Sequence, residues 1–373
     1  MQVINKHTYD FVHFFLINSC KFNTETRNLL RTISQEHKHL FVFRKEPFDD
    51  TSVCDEDTII DAKIGNVDKI PEYLERGKWL FIHGLTYDKK QLSKLDICYA
   101  KRIIWGIWGS DLYRIPKYNN LFYVKLRDFY YNLQGKGDKA LRPVISNFKA
   151  IFLGFKRDAI EIQRRFSKDI PIFNALYPAG FYLDDINRIT LSNIKHEKIR
   201  IMVGHSAYSF LNHKKILKIL ARFKGKIEIF LPFSYGDAEY AQSIEIYARE
   251  LFDDSEIHVI TKMMSSEDYF IFLSQMDCAI FDYERQAAFG NMIWLLYLNK
   301  MLFLSSKGVM YKGFVDENLD VYTIDDLVNM DIESIKKKKM RNKNIEYATS
   351  LLNFELIQQQ WKNALDTIMK EET

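Results

Sequence analysis

Short, almost continuous apolar runs alternate with amphipathic stretches along this chain. Phe11, Val12, Phe14, Phe15, Leu16 and Ile17 fill Asp10–Asn18, and similar runs occupy His39–Phe43, Trp79–His83 and Arg102–Trp108. Strands without polar alternation are buried on both faces, as in a parallel sheet covered by helices. After the first run, Asn23 and Thr24 offer caps, and Leu29, Leu30 and Ile33 follow at helical spacing. The pattern restarts after the charged segment Ser192–Glu197. Strands are expected at Lys198–Gly204, Lys226–Leu231, His258–Ile260, Cys278–Phe281 and Met301–Leu304. Helices are expected at Asn212–Phe223, Ala238–Leu251, Asp268–Leu273 and Met292–Leu298, and one or two more close the chain over Asn344–Lys370. Strands alternating with helices predict βαβ units. The fold class is α/β, in two halves over residues 1–187 and 188–349, joined near Asp184–Glu197. Ligands of such sheets bind where strand carboxyl ends meet loops, so the residues just after each strand are the candidates.

Composition narrows the classes. The 373 residues carry 53 Lys and Arg against 49 Asp and Glu, a net +4, too diffuse for a nucleic-acid surface. Cys20, Cys54, Cys98 and Cys278 are scattered without the paired spacing of a zinc site or disulfide framework, which fits a reducing interior. No run reaches the ~20 apolar residues of a membrane span, so membrane action would be peripheral. The adjacent acids at Asp49-Asp50, Asp55-Glu56-Asp57, Asp184-Asp185 and Asp253-Asp254 do not follow strands and read as loops and caps. No metal site and no cofactor is expected, since hard cations need several convergent oxygens.

Five stretches carry candidate chemistry. In Trp105-Gly106-Ile107-Trp108-Gly109-Ser110-Asp111-Leu112-Tyr113, two indoles suit a sugar face and Asp111 suits a general base; the plainer alternative is core tryptophans and a helix-capping Asp111. Gly204-His205-Ser206-Ala207, before Asn212-His213, has the strand–Gly–loop–helix order that holds phosphate, or it is an ordinary turn capped by Asn212. Asp282-Tyr283-Glu284-Arg285-Gln286, then Gly290, offers a guanidinium fork for a diphosphate, or a surface Glu–Arg pair. His83-Gly84 ends a strand and matters only if it faces the Asp111 region. Lys117–Tyr131 mixes Tyr118, Phe122, Tyr123, Phe129 and Tyr130 with Lys117, Lys125 and Arg127, suiting an anionic lipid headgroup, or else it is a helix with an aromatic core stripe.

The run Trp105…Ile107-Trp108-Gly109-x-Asp111-Leu112-Tyr113 resembles the signature of the 4-acetamido-4,6-dideoxygalactose (Fuc4NAc) transferases, glycosyltransferase family 56. Collinear matches are His83-Gly84, Tyr177-Pro178, Val203-Gly204-x-Ser206 with Asn212 and His213, Pro232, Tyr235, Tyr269, Asp277, and Arg285-Gln286 with Gly290. The resemblance spans roughly Trp79 to Leu304. Ala207 and Ala288 stand where the family prefers Gly. It implies a metal-independent GT-B enzyme: two Rossmann-like domains facing across a cleft, with the closing helix, 350–373, returning to the first domain. The donor implied is a thymidine-diphosphate deoxyamino sugar, held by Gly204, His205, Ser206, Tyr235, Arg285, Gln286 and Gly290. The acceptor implied is an undecaprenyl-diphosphate-linked saccharide, met by Trp105, Trp108, Tyr113, Lys117, Tyr123 and Arg127 at the cytoplasmic face of a bacterial inner membrane. Asp111 is the expected base and His83 the second choice. The alternatives are a GT-B enzyme using a uridine-diphosphate sugar and a non-catalytic nucleotide-sugar or glycan-binding subunit.

Overall fold

The apolar runs become the strands of two wholly parallel sheets. The computed structural model describes residues 7–17, 20–45, 56–113, 138–191, 196–337 and 340–370. The chain divides into two units. Of the described residues, the first takes those up to Gly180 and again from Phe354; the second takes those of Phe181–Asn353.

In the first unit the strands are β1 (Tyr9–Phe15), β2 (His39–Phe43), β3 (Thr58–Ile60), β4 (Gly77–His83), β5 (Ile103–Gly106), β6 (Ala150–Leu153) and β7 (Ile172–Asn174). Their order across the sheet is β3-β2-β1-β4-β5-β6-β7. The order reverses between β1 and β4, which pair with Phe15 opposite His83. Open α/β sheets bind ligands beyond the carboxyl ends of strands at such a reversal. One face packs Val12, Phe14, Leu40, Val42, Leu80, Ile82 and Trp105 against helices. The other carries Phe11, His13, Phe15, Phe41, Phe81, His83 and Phe152, all buried. The closing helix, Phe354–Lys370, lies on this second face: Trp361 is 0% exposed, stacks 5.6 Å from Phe81 and donates its indole N–H to the Leu176 carbonyl.

The second unit repeats the plan with β8 (Ile199–Val203), β9 (Ile227–Pro232), β10 (Ile257–Ile260), β11 (Cys278–Phe281), β12 (Met301–Leu304) and β13 (Tyr322–Thr323). Their order is β10-β9-β8-β11-β12-β13, so the reversal falls between β8 and β11. The loops after these two strands are the Gly204 and Arg285 stretches.

Several local expectations need correction. The first helix is Cys20–Ile33, so Asn23 and Thr24 lie inside it rather than capping it; the Asn23 amide donates to the Ile17 carbonyl. The expected helix over Asn212–Phe223 is a helix at His213–Leu220 followed by a 3₁₀ turn.

Candidate active site

The second unit gathers its candidates at the β8/β11 reversal. Gly204 leaves β8 with φ +70, and a Cβ there would lie 2.5 Å from His213 Nε2, so only glycine fits this turn. The loop is pinned by backbone bonds: the Gly204 N–H donates to Ile280, and the Ala207 N–H to Tyr235. Those amides are therefore occupied, and a 3₁₀ turn, Ser209–Leu211, intervenes before the helix. The strand–Gly–loop–helix order expected from the sequence forms with that turn inserted before the helix His213–Leu220. Asn212 does not cap it; its amide donates to the Asp282 carbonyl and ties the two loops together.

What the two loops gather instead is buried side-chain chemistry. His205 Nδ1, Ser206 Oγ and the Nε and Nη1 of Arg285 are buried atoms with no hydrogen-bond partner of good geometry; the nearest group to the Ser206 hydroxyl is the Tyr235 phenol. Among the described residues no carboxylate pairs with Arg285, so the surface Glu–Arg alternative fails. Its guanidinium sits 4.6 Å over the Phe210 ring. Burial lowers the Arg285 pKa, and burial followed by the nearby guanidinium holds His205 down at about 3, so its imidazole is neutral. Buried polar groups are normally satisfied within the fold. Here three neighbouring side chains are not, and all are suited to an anion's oxygens. Tyr235, 45% exposed, and Tyr208, 40% exposed, meet edge to face beside this cluster. Gln286 is half-buried, and Gly290 is exposed in the first turn of the helix Phe289–Tyr297 with nothing within 4 Å of where a Cβ would stand.

In the first unit, Asp111 anchors the loop after β5. Its Oδ2 accepts from the Leu85 N–H at 3.0 Å and the Trp105 indole at 2.8 Å, and its Oδ1 accepts from the Trp108 N–H at 3.0 Å. Burial pushes the acid's pKa up against these three bonds. Trp105 is 1% exposed in the helical-face core, so it steadies Asp111 and presents no ring to an acceptor. His83 is fully buried with both ring nitrogens engaged, by His13 and Tyr177, and is closed to a substrate hydroxyl. Tyr113 gives its hydroxyl to Asp158 at 2.8 Å; burial raises that acid to about 7. Trp108 remains half-buried, flanked by Phe22 and Tyr177. Lys117, Tyr123 and Arg127 lie outside the described residues. Asp158, Phe210 and Tyr208 were missed in the sequence, since none sits at a motif's spacing; His13, a lone histidine inside an apolar strand, was the one legible signal passed over.

A family profile described as 4-alpha-L-fucosyltransferase, glycosyl transferase group 56, matches residues 55–370. The chain belongs to glycosyl transferase group 56. Solved structures agree on its architecture. A glycosyltransferase from Rickettsia africae is 12% identical over 97% of this chain and 99% of its own, with a TM-score of 0.62. HepE of Anabaena, solved with UDP, is 8% identical over 96% and 100%, with a TM-score of 0.68. The lipopolysaccharide outer core galactosyltransferase WaaB is 13% identical over 96% and 99%, at 0.62. At such identities the likeness is one of fold, and the fold is GT-B. This group 56 glycosyltransferase thus carries its Arg285 cluster and its Asp111 loop at the carboxyl edges of two Rossmann-like sheets. Among its described residues no helix is long and apolar enough to cross a membrane.

Proposed function

We propose that this glycosyltransferase moves a Fuc4NAc-like deoxyamino sugar from a thymidine-diphosphate donor to an undecaprenyl-diphosphate-linked oligosaccharide, working peripherally at the cytoplasmic face of a bacterial inner membrane in surface polysaccharide synthesis. The observation that carries it is the trio of unpartnered side chains, His205, Ser206 and Arg285, at the β8/β11 reversal. A diphosphate supplies the acceptor oxygens these donors lack, and an unpaired guanidinium stabilises the charge that grows on the departing diphosphate. The second unit then binds the donor and the first unit the acceptor, with Trp108 under the acceptor sugar and Lys117, Tyr123 and Arg127 toward its lipid diphosphate. An acceptor oxygen attacks C1 of the donor sugar, the C1–O bond to the diphosphate breaks, and the hydroxyl proton passes to Asp111. Its Oδ1 accepts one N–H, leaving lone-pair capacity, and a raised pKa makes the carboxylate a better base.

The UDP held by HepE supports a second reading, a uridine-diphosphate donor. A thermal-shift panel of TDP, UDP and GDP decides between them, because a ligand at 100 times its Kd adds about 2.7 kcal/mol of stability. Protection by TDP over UDP is expected, the reverse selects the second reading, and protection by none removes the donor site. Asp111→Asn is expected to abolish transfer with that protection unchanged; normal turnover would take the base role from Asp111.

A further inference from the structure

Three buried histidines and a tyrosine run in file across the first sheet, and the mechanism above uses none of them. His39 Nδ1 meets His13 Nε2 at 2.9 Å, His13 Nδ1 meets His83 Nε2 at 3.0 Å, and His83 Nδ1 meets the Tyr177 hydroxyl at 2.8 Å. Strand register explains the line. Phe11 pairs with His39 and Phe15 with His83, so His13 sits between them on the same face and the file crosses the sheet diagonally, from the amino ends of the strands to the carboxyl ends. Aromatic walls keep water away: His13 stacks on Phe41 and Phe81, and His83 on Phe15 and Phe81. Burial keeps all three imidazoles neutral, His39 at about 4 and the other two well below the usual histidine value.

A neutral imidazole donates from one nitrogen and accepts at the other. Each of the three contacts needs one proton, so the file runs wholly in one direction or wholly in the other. Its two ends choose. The Trp108 indole, a donor only, lies beside Tyr177, and the Ser34 backbone, whose carbonyl only accepts, lies beside His39, whose Nδ1 already meets His13. These end contacts are looser than the inner three and fall short of full hydrogen-bond geometry. Both still favour one order: Trp108 to Tyr177 to His83 to His13 to His39, with every ring protonated at Nε2. The opposite order strands the Tyr177 proton and sets a lone pair of His39 against a carbonyl.

Resting on the glycosyl-transfer reading above, we propose that His13, His39 and His83 are positioning residues: their single proton order turns the Tyr177 oxygen toward the Trp108 indole and so fixes the Trp108 ring and the Asp111 loop on the acceptor side. The coupling is mechanically short. A Cβ on Gly106, in the strand leading to that loop, would lie 1.8 Å from the Tyr177 oxygen, and Trp108 packs edge-on against Tyr177 at 5.5 Å. Trp108 then reaches Asp111 through its own N–H.

Nitrogen-15 spectra of ring-labelled protein read the tautomers directly. The expected result is protonated Nε2 and bare Nδ1 on His13, His39 and His83; a protonated Nδ1 on any of them overturns the order. His13→Phe keeps the ring's bulk and cuts the file. It is expected to move the Trp108 indole N–H resonance and to lower kcat on the order of 10- to 100-fold, the scale of a small misplacement of catalytic groups, with nucleotide protection unchanged. His13→Gln, whose amide accepts and donates from atoms spaced much like the ring nitrogens, is expected to restore both. A Phe variant with the wild-type Trp108 resonance and kcat, or a Gln variant no better than Phe, sinks the proposal. Should His13→Phe fail to fold, the wild-type tautomers still decide. Should no donor support transfer, the functional reading fails, while the tautomers and the Trp108 resonance judge the file separately.

Discussion

Arg285→Met is expected to strengthen the free protein and cripple nucleotide binding. The unbound arginine has Nε and Nη1 buried without partners, and such unsatisfied donors each cost about 1–3 kcal/mol. Methionine of similar length removes both and gives up the cation–ring contact with Phe210, a loss of about 0.5–2 kcal/mol. The balance runs from about zero to about 5 kcal/mol in the variant's favour, a rise of about 2–4 °C in Tm per kcal/mol for a unit of this size. Binding moves the other way. Removing one partner of a buried, hydrogen-bonded charge pair costs about 2–5 kcal/mol, which is about 30- to 4,000-fold in Kd. Arg285→Lys is expected to fall between, since an ammonium keeps the charge and loses the fork. Calorimetric melting of the free protein and titration with TDP check the two signs independently. A Met variant that melts lower and binds TDP as the wild type does would refute the reasoning, because it would mean the guanidinium is already satisfied by the fold.

Other outcomes follow from single positions. Ala288 holds φ 52, a left-handed conformation costing a residue with a Cβ about 1–2 kcal/mol, so Ala288→Gly should stabilise the protein once glycine's extra unfolded-state freedom, about 0.4–1 kcal/mol, is subtracted. Urea denaturation reads the gain, and a loss would contradict it. Acid should open the second unit before the first. His205 and His213 are held at about 3 by burial, below the unfolded value, so the unfolded chain takes protons first and stability falls as pH drops from about 6.5 toward 3, by about 1.4 kcal/mol per pH unit for each. In the first unit the same loss from His13, His39 and His83 is opposed by Asp158, which burial raises to about 7 so that its protonation in the fold is favourable as pH drops below that, and by Asp111, which burial also raises. Hydrogen exchange at pH 5 that protects the second unit better than the first would reverse this ordering.

The central strands were legible because a parallel sheet covered on both faces needs no polar alternation. His39–Phe43, Cys278–Phe281 and Met301–Leu304 are runs of that kind, and their bounds coincide with β2, β11 and β12. Three of the outermost strands were not. Thr58–Ile60, Ile172–Asn174 and Tyr322–Thr323 are two or three residues long, and such lengths carry no period that separates a strand from a loop. The first helix shows the other limit. Asn23 has a capping side chain, yet tertiary structure gives its amide to Ile17, and propensity cannot say which carbonyl wins.

The candidate loops were legible in position, and the pairing of their side chains was not. A glycine just after β8 marked the first loop of the second unit, and the φ of Gly204 gives the reason. Which residues stay unpaired is a property of the assembled neighbourhood. Glu284 adjoins Arg285 in sequence, which invites an ion pair, but the guanidinium lies over Phe210 with two of its nitrogens unpartnered. The tryptophans divide by the same logic. Trp105 is in β5 and shares the helical-face core with Ile103, whereas Trp108 comes two residues after the strand ends, where a side chain no longer has to enter a sheet face. A motif that reads as one constellation therefore separates into a buried anchor, a half-buried ring and the carboxylate both of them hold. A signature of this kind fixes where a carboxylate will be held; which indole stays half-buried is set by the end of the strand.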